Sequence, residues 1–156
     1  MRILGIDYGD RRIGIAVSDP MKIIATGLET VQNTGDMQQV VDIMIQHIKT
    51  YDVDTVVVGM PKNMNNSMGF RSEATQTFLS ALQEAISATE DIKTQRTNVV
   101  TWDERLTSVQ ATRTMHDMGM KRKQKQKKGT VDKIAAVIIL QGYLDSLGTN
   151  RKQEEY

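Results

Sequence analysis

The chain opens on two runs of β-branched and aliphatic residues, Arg2-Ile3-Leu4-Gly5-Ile6-Asp7-Tyr8 and Arg12-Ile13-Gly14-Ile15-Ala16-Val17-Ser18. The polar, glycine-containing Gly9-Asp10-Arg11 separates them, which predicts an antiparallel hairpin with strands near 2–8 and 12–18. Ser18-Asp19-Pro20 has turn chemistry, and the segment Ile23 to Val31 reads as a weaker third antiparallel strand at the sheet edge. Asp36 has the placing of a helix N-cap. Met37, Val40, Val41, Met44, Ile45 and Ile48 follow it at helical spacing, and that helix should end near Tyr51-Asp52.

Thr55-Val56-Val57-Val58-Gly59 is continuously apolar, the pattern of a strand buried on both faces and therefore parallel to its neighbours. A long, amide-rich loop runs from Gly59 to Gly69. Phe70, Ala74, Phe78, Leu82 and Ala85-Ile86 then mark one face of a second helix. Asn98 to Trp102 forms another strand, ending in Asp103-Glu104-Arg105. A short helix is expected around Val109 to Met115, with Gly119 past its end. Thr130 is placed to cap a final helix from about Val131 to Leu147, and the polar residues 149–156 should fray. Three antiparallel strands followed by alternating helices and parallel strands make an α/β fold, a mixed sheet with helices on both faces. The expectation is one domain over 1–148 with a polar tail at 149–156.

Composition narrows the chemistry. Of 156 residues, 39% are hydrophobic and 25% charged, as in ordinary globular proteins. The absence of cysteine removes disulfides, thiol nucleophiles and zinc–thiolate sites, and fits a reducing compartment. No apolar run approaches the roughly 18 residues of a membrane span, so the expected location is the cytoplasm, with no membrane partner. The net charge of +1 hides a strongly basic run, Lys121-Arg122-Lys123-Gln124-Lys125-Gln126-Lys127-Lys128, which suggests contact with a polyanion. On charge alone, a solvated loop accounts for it equally well. Aromatic residues at 4% argue against extensive base stacking.

Asp7 is the anomaly in the first strand, because a carboxylate among apolar residues is costly unless paired, hydrogen-bonded or bound to a cation. Glu104, at the end of the last strand, and Asp132, opening the final helix, are the acids that join it if the first strand is central. Three converging carboxylates repel, and a pair of Mg²⁺ or Mn²⁺ ions relieves the repulsion. Two such ions about 4 Å apart can activate a water and stabilise the leaving oxygen of a phosphodiester. Taken singly, Asp132 reads as a dipole-favoured surface acid and Glu104 as a solvated loop carboxylate; the combination carries the weight. Strand alternation points Asp103 to the opposite face from Glu104.

Four ordered blocks give the chain a specific likeness. Gly5-Ile6-Asp7-Tyr8-Gly9 continuing through Arg12 to Asp19, Val58-Gly59-Met60-Pro61-Lys62-Asn63-Met64, Asp103-Glu104-Arg105-Leu106-Thr107-Ser108, and Val131-Asp132-Lys133 continuing to Gln141 resemble the YqgF (RuvX) family. These are small bacterial proteins with an RNase H-like fold, related to Holliday junction resolvases and assigned to nucleolytic processing of pre-16S ribosomal RNA. The resemblance implies a metal-dependent nuclease site in which Asp7 bridges two Mg²⁺ or Mn²⁺ ions and Glu104 and Asp132 each help hold one. It also implies an in-line attack by water leaving a 5′-phosphate. Arg12, Lys62, Arg105 and Lys133, with Lys121, Arg122 and Lys123 of the basic run, are the candidate nucleic-acid contacts. The implied partner is pre-16S rRNA, with structured DNA and ribosomal particles as further possibilities, and the implied state is a monomer or weak homodimer. Two departures stand out. Asn66 takes the place of a customary glycine in the loop, and Lys127-Lys128-Gly129-Thr130 intervenes before Asp132, adding expected flexibility there.

Three other readings compete. An actin-like or sugar-kinase-like ATPase also carries an Asp-x-Gly hairpin that binds phosphate and Mg²⁺. A non-catalytic RNA- or ribosome-binding module accounts for the basic run equally well. A Holliday junction resolvase-like DNA nuclease shares the chemistry and differs in substrate.

Overall fold

A computed structural model describes the backbone of residues 1–60, 70–103 and 128–154, and the side chains of 1–60, 73–103 and 133–148. Five strands form one mixed sheet: β1 (Arg2–Tyr8), β2 (Arg12–Ser18), β3 (Ala25–Gln32), β4 (Val53–Met60) and β5 (Asn98–Asp103), in the order β3-β2-β1-β4-β5. β1 is therefore central. It pairs antiparallel with β2, which pairs antiparallel with β3, while β1–β4 and β4–β5 are parallel. The hairpin has the bounds that its alternation predicts. Its turn needs glycine at position 9, because a Cβ there would lie 2.5 Å from the Arg12 carbonyl oxygen. Asn33 fixes the same turn from the end of β3, donating its side-chain amide to the Gly9 carbonyl (2.8 Å) and its backbone N–H to that of Arg11 (2.8 Å).

Two helices cover one face of the sheet. α1 (Met37–Thr50) starts at Asp36, whose carboxylate accepts from the Gln39 N–H, and it buries Val40, Val41, Met44 and Ile48. It stops where Asp52 takes a left-handed backbone, φ +54°, and the Asp52 carbonyl then accepts the N–H of Arg2 at the start of β1. α2 (Phe70–Ala88) buries Phe78, Leu82 and Ile86 at helical spacing. These side chains pack with Leu4, Ile6, Ile13, Ile15, Val56 and Val58 of the sheet. The Phe78 ring stacks on Tyr8, with centroids 4.6 Å apart. A one-turn helix that hydrophobic spacing does not predict, α3 (Ile92–Gln95), follows, with the Thr94 hydroxyl donating to the Asp91 carboxylate.

Among the described residues, the opposite face is covered by one long helix, α4 (Lys128–Glu154). Ala136, Ile139, Leu140 and Leu144 pack there on Ile3, Ala16 and Val57. Its approach to the sheet is close: a Cβ on Gly5 of β1 would lie 2.7 Å from the Leu140 Cβ. Farther along, Gly142 receives the Trp102 indole, which meets the Tyr143 ring edge-on. Gln141 ties the helix to the sheet edge, accepting from the Ala25 N–H (3.0 Å) and donating to the Ile23 carbonyl (2.8 Å).

α4 departs from expectation at both ends. It begins at Lys128, so Thr130 lies inside the helix and does not cap it, and Lys128-Gly129-Thr130 is helical where flexibility was expected. Asp132 is the fifth residue of the helix and does not open it. At the other end, the backbone expected to fray after 148 continues as helix through Glu154. The loop after Met60 with Lys62 and Asn66, the helix expected around Val109 to Met115, and Glu104, Arg105, Lys121, Arg122 and Lys123 lie outside the described residues.

Candidate active site

Asp7 is half-buried near the C-terminal end of the central strand, on the face that α4 covers. Its neighbours along the chain, Ile6 and Tyr8, turn to the other face and pack with α1 and α2, as strand alternation requires. The register sets Gly14 directly beside Asp7 on β2. On the other side, Gly59 stands one step beyond Val58, the β4 partner of Ile6. Both flanking positions thus lack side chains, so no branched residue of β2 or β4 stands beside the carboxylate. That gap suits a hard cation or a phosphate oxygen. Arg12, two residues before Gly14 on β2, is half-buried on the same face and at the same end.

The direction of α4 brings its beginning to this place. Gln141 sits over the start of β3, beside Ser18, whose hydroxyl accepts the N–H of Ile3 at the far end of β1. One turn back from Leu140, the Ala136 carbonyl lies against Gly5 in the middle of β1. Asp132 is four residues earlier, about 6 Å at 1.5 Å per residue. Asp7 is two residues beyond Gly5, also about 6–7 Å along the strand. The Asp7 end of the sheet is therefore the end toward which the helix carries Asp132. The side chain of Asp132 lies outside the described residues.

β5 contributes by parity. Val100 and Trp102 pack on the α4 face, so Asp103, exposed and paired in register with Met60, points to the opposite face from Asp7. Glu104 follows it outside the described residues, as do Lys62, Arg105, Lys121, Arg122 and Lys123. Among the described residues no group of three potential metal-binding side chains occurs. Lys133 is described, exposed, with its stem lying along Gly27 of β3. The glycines beside Asp7 and beneath α4 are participants that a search for chemical groups passes over. Their signal is glycine recurring in strands otherwise made of isoleucine and valine.

Two other carboxylates are held below the usual range, and neither belongs to this site. Asp19 accepts the backbone N–H groups of Ile24, Ile23 and Met21, which favour its charged form and pin the β2–β3 loop at the end of the sheet away from Asp7. Asp91 is lowered chiefly by the Thr94 hydroxyl at the start of α3.

The model of the RuvX family, described as a Holliday junction resolvase, matches residues 1–146. The chain belongs to the RuvX family. Curated relatives agree: a protein of Acetivibrio thermocellus named "Putative pre-16S rRNA nuclease" is 50% identical over 148 residues, 95% of this chain and 98% of that one. A Staphylococcus aureus protein of the same name is 45% identical over 147 residues, 94% and 96% of the two chains. Among solved structures, Thermus thermophilus RuvC in complex with Holliday junction substrate superimposes with a TM-score of 0.58 at 15% identity, covering 96% of this chain and 97% of that one. The fowlpox virus Holliday junction resolvase gives 0.53 at 15% identity, covering 94% and 99%. These likenesses carry the fold, a RuvC-like RNase H arrangement. As a member of the RuvX family, the chain is a nuclease, a hydrolase of phosphodiester bonds.

Proposed function

We propose that this RuvX-family chain is a divalent-metal-dependent endonuclease that processes the 5′ end of pre-16S ribosomal RNA in the cytoplasm, in contact with ribosomal particles. The observation that carries the metal reading is Asp7: a carboxylate on the central strand, glycine on both sides, with the first turns of α4 running to the same end of the sheet. Asp7, Glu104 and Asp132 would hold one or two Mg²⁺ or Mn²⁺ ions, all through hard carboxylate oxygens. Such ions, when bound, activate a water and stabilise the leaving oxygen of a phosphodiester. Arg12, on the face of Asp7, offers a guanidinium to the phosphate flanking the cut, and Lys62, Arg105, Lys121, Arg122, Lys123 and Lys133 extend the basic contact. Residues 1–148 act as one domain, and a monomer or weak homodimer suffices.

The RNA substrate is supported by the names of relatives at 44–50% identity that span nearly the whole chain. A second reading, cleavage of four-way DNA junctions, has the family description and the fold neighbours behind it. One experiment separates them: a pre-16S fragment and a four-way DNA junction, each incubated with Mn²⁺ and with EDTA. Cleavage of the RNA at a defined site, with the junction left intact, supports the proposal. Paired symmetric nicks in the junction alone overturn the RNA reading. Cleavage unchanged by EDTA overturns the metal.

A further inference from the structure

We propose that Gly27 and Lys133 together form a subsite for a substrate phosphate that flanks the one being cut, with Gly27 as a positioning residue that acts through the lysine. The inference rests on the nuclease reading above and adds a place and a mechanism for one of its contacts.

Gly27 lies in the edge strand β3, on the α4 face, in register with Ala16. A Cβ on it would come within 2.7 Å of the Lys133 Cγ, 3.0 Å of Cδ and 3.3 Å of Cε. Three successive methylenes therefore run across the space that a side chain would fill. An exposed lysine ordinarily retains most of its rotamer freedom and gives it up only when a ligand fixes it. Here the stem is seated on backbone while the residue stays exposed, and no carboxylate among the described residues pairs with its ammonium. The stem is anchored, and among the described residues the charge ends on no acid, an arrangement that suits a substrate phosphate.

The location identifies the anion. Lys133 follows Asp132 in α4, and Gly27 is two strands from β1, so the cradle stands on the order of 10 Å from Asp7 across the sheet. That is too far for the phosphate held against Asp7. It suits a neighbouring phosphate of the same polynucleotide, gripped by a point charge and without base recognition. Glycine at 27 does not touch substrate. It lets the stem lie flat, so that the ammonium meets the backbone already ordered.

The test is a double-mutant cycle with Gly27→Ala, Lys133→Ala and the double variant. Equilibrium binding of a labelled pre-16S fragment is measured at several salt concentrations in Ca²⁺, and cleavage in Mn²⁺. Lys133→Ala is expected to raise KM and Kd about fivefold, leave kcat within twofold, and flatten the salt slope by about 0.7–0.9, one phosphate contact. Gly27→Ala should move the same quantities in the same direction by a smaller amount. The double variant should match Lys133→Ala alone, because the glycine has no other route to the substrate. Melting temperatures identify any variant that fails to fold, and Lys133→Arg, which keeps stem and charge, should retain at least half of the wild-type affinity.

Wild-type Kd and salt slope in Lys133→Ala overturn the subsite, as do effects of Gly27→Ala that add fully to those of Lys133→Ala. A chain that binds the RNA with these dependences and never cuts it overturns the nuclease reading while the subsite stands. A wild-type chain that does not bind the fragment overturns both.

Discussion

Gly5→Ala tests how α4 is held over the site. A Cβ at position 5 would lie 2.7 Å from the Leu140 Cβ and 3.3 Å from the Ala136 carbonyl oxygen, whereas ordinary contact begins near 3.4 Å. The helix must back away by about 0.7 Å, because the obstacle is a Cβ beside helix backbone and cannot rotate aside. Overpacking of this kind costs about 1–3 kcal/mol. Removing a glycine from a strand returns about 0.5–1 kcal/mol, leaving at mid-range a net loss of about 1 kcal/mol. For a chain of this size that is a fall in Tm of about 2–4 °C. Gly148→Ala is the matched control, since nothing lies within 4 Å of its added methyl. In a helix it should raise stability by up to about 1 kcal/mol. Differential scanning calorimetry of both variants reads the two signs. At 25 °C, with Gly5→Ala still folded, the displaced α4 would carry Asp132 away from Asp7 in the proposed metal site, and cleavage should fall about tenfold or more, since misplacements near 1 Å reach a hundredfold. A Gly5→Ala chain as stable as wild type would refute the seating of α4 on β1.

Further expectations follow from the other face and the far loop. Phe78→Ala empties a fully buried ring site and removes the stack on Tyr8, next to Asp7, so urea denaturation should show a loss of about 3–5 kcal/mol. Asp19 is held below its ordinary 3.8 by the N–H groups of Ile24 and Ile23, so its contribution to stability is present above that value and disappears as pH falls through the lower folded one. The Tm gap between wild type and Asp19→Asn should therefore be open at neutral pH and close on acidification below about pH 4. A gap that widens in acid contradicts the loop's hydrogen bonding.

Much of this architecture is legible in the chain because its hydrophobic periods are clean. Ile3, Leu4, Ile6 and Ile13, Ile15, Val17 specify the hairpin, and the continuous Val56-Val57-Val58 marks a strand covered by helices on both sides. Asp7 is legible for the same reason, as an acid interrupting an apolar strand. The start of α4 is not. Gly129 and Thr130 look like a boundary, yet one glycine in a helix costs only about 1 kcal/mol, which the packing of a long helix offsets. α3 escapes because a single turn has no period; its one trace is the Asp91–Thr94 pair. The roles of Gly5 and Gly27 depend on which segment lies across them, and that of Gly14 on the strand register, tertiary facts that local sequence does not encode.

The central claim is that Asp7 holds the metal on which cleavage depends. Its most direct measurement is Mn²⁺ binding by calorimetry, paired with cleavage of the pre-16S fragment, for wild type and Asp7→Asn. Asp7→Asn is expected to keep its fold and its affinity for RNA, lose measurable Mn²⁺ binding, and cut at least about a hundredfold more slowly. An Asp7→Asn chain that binds Mn²⁺ and cleaves within a few-fold of wild type would contradict the account.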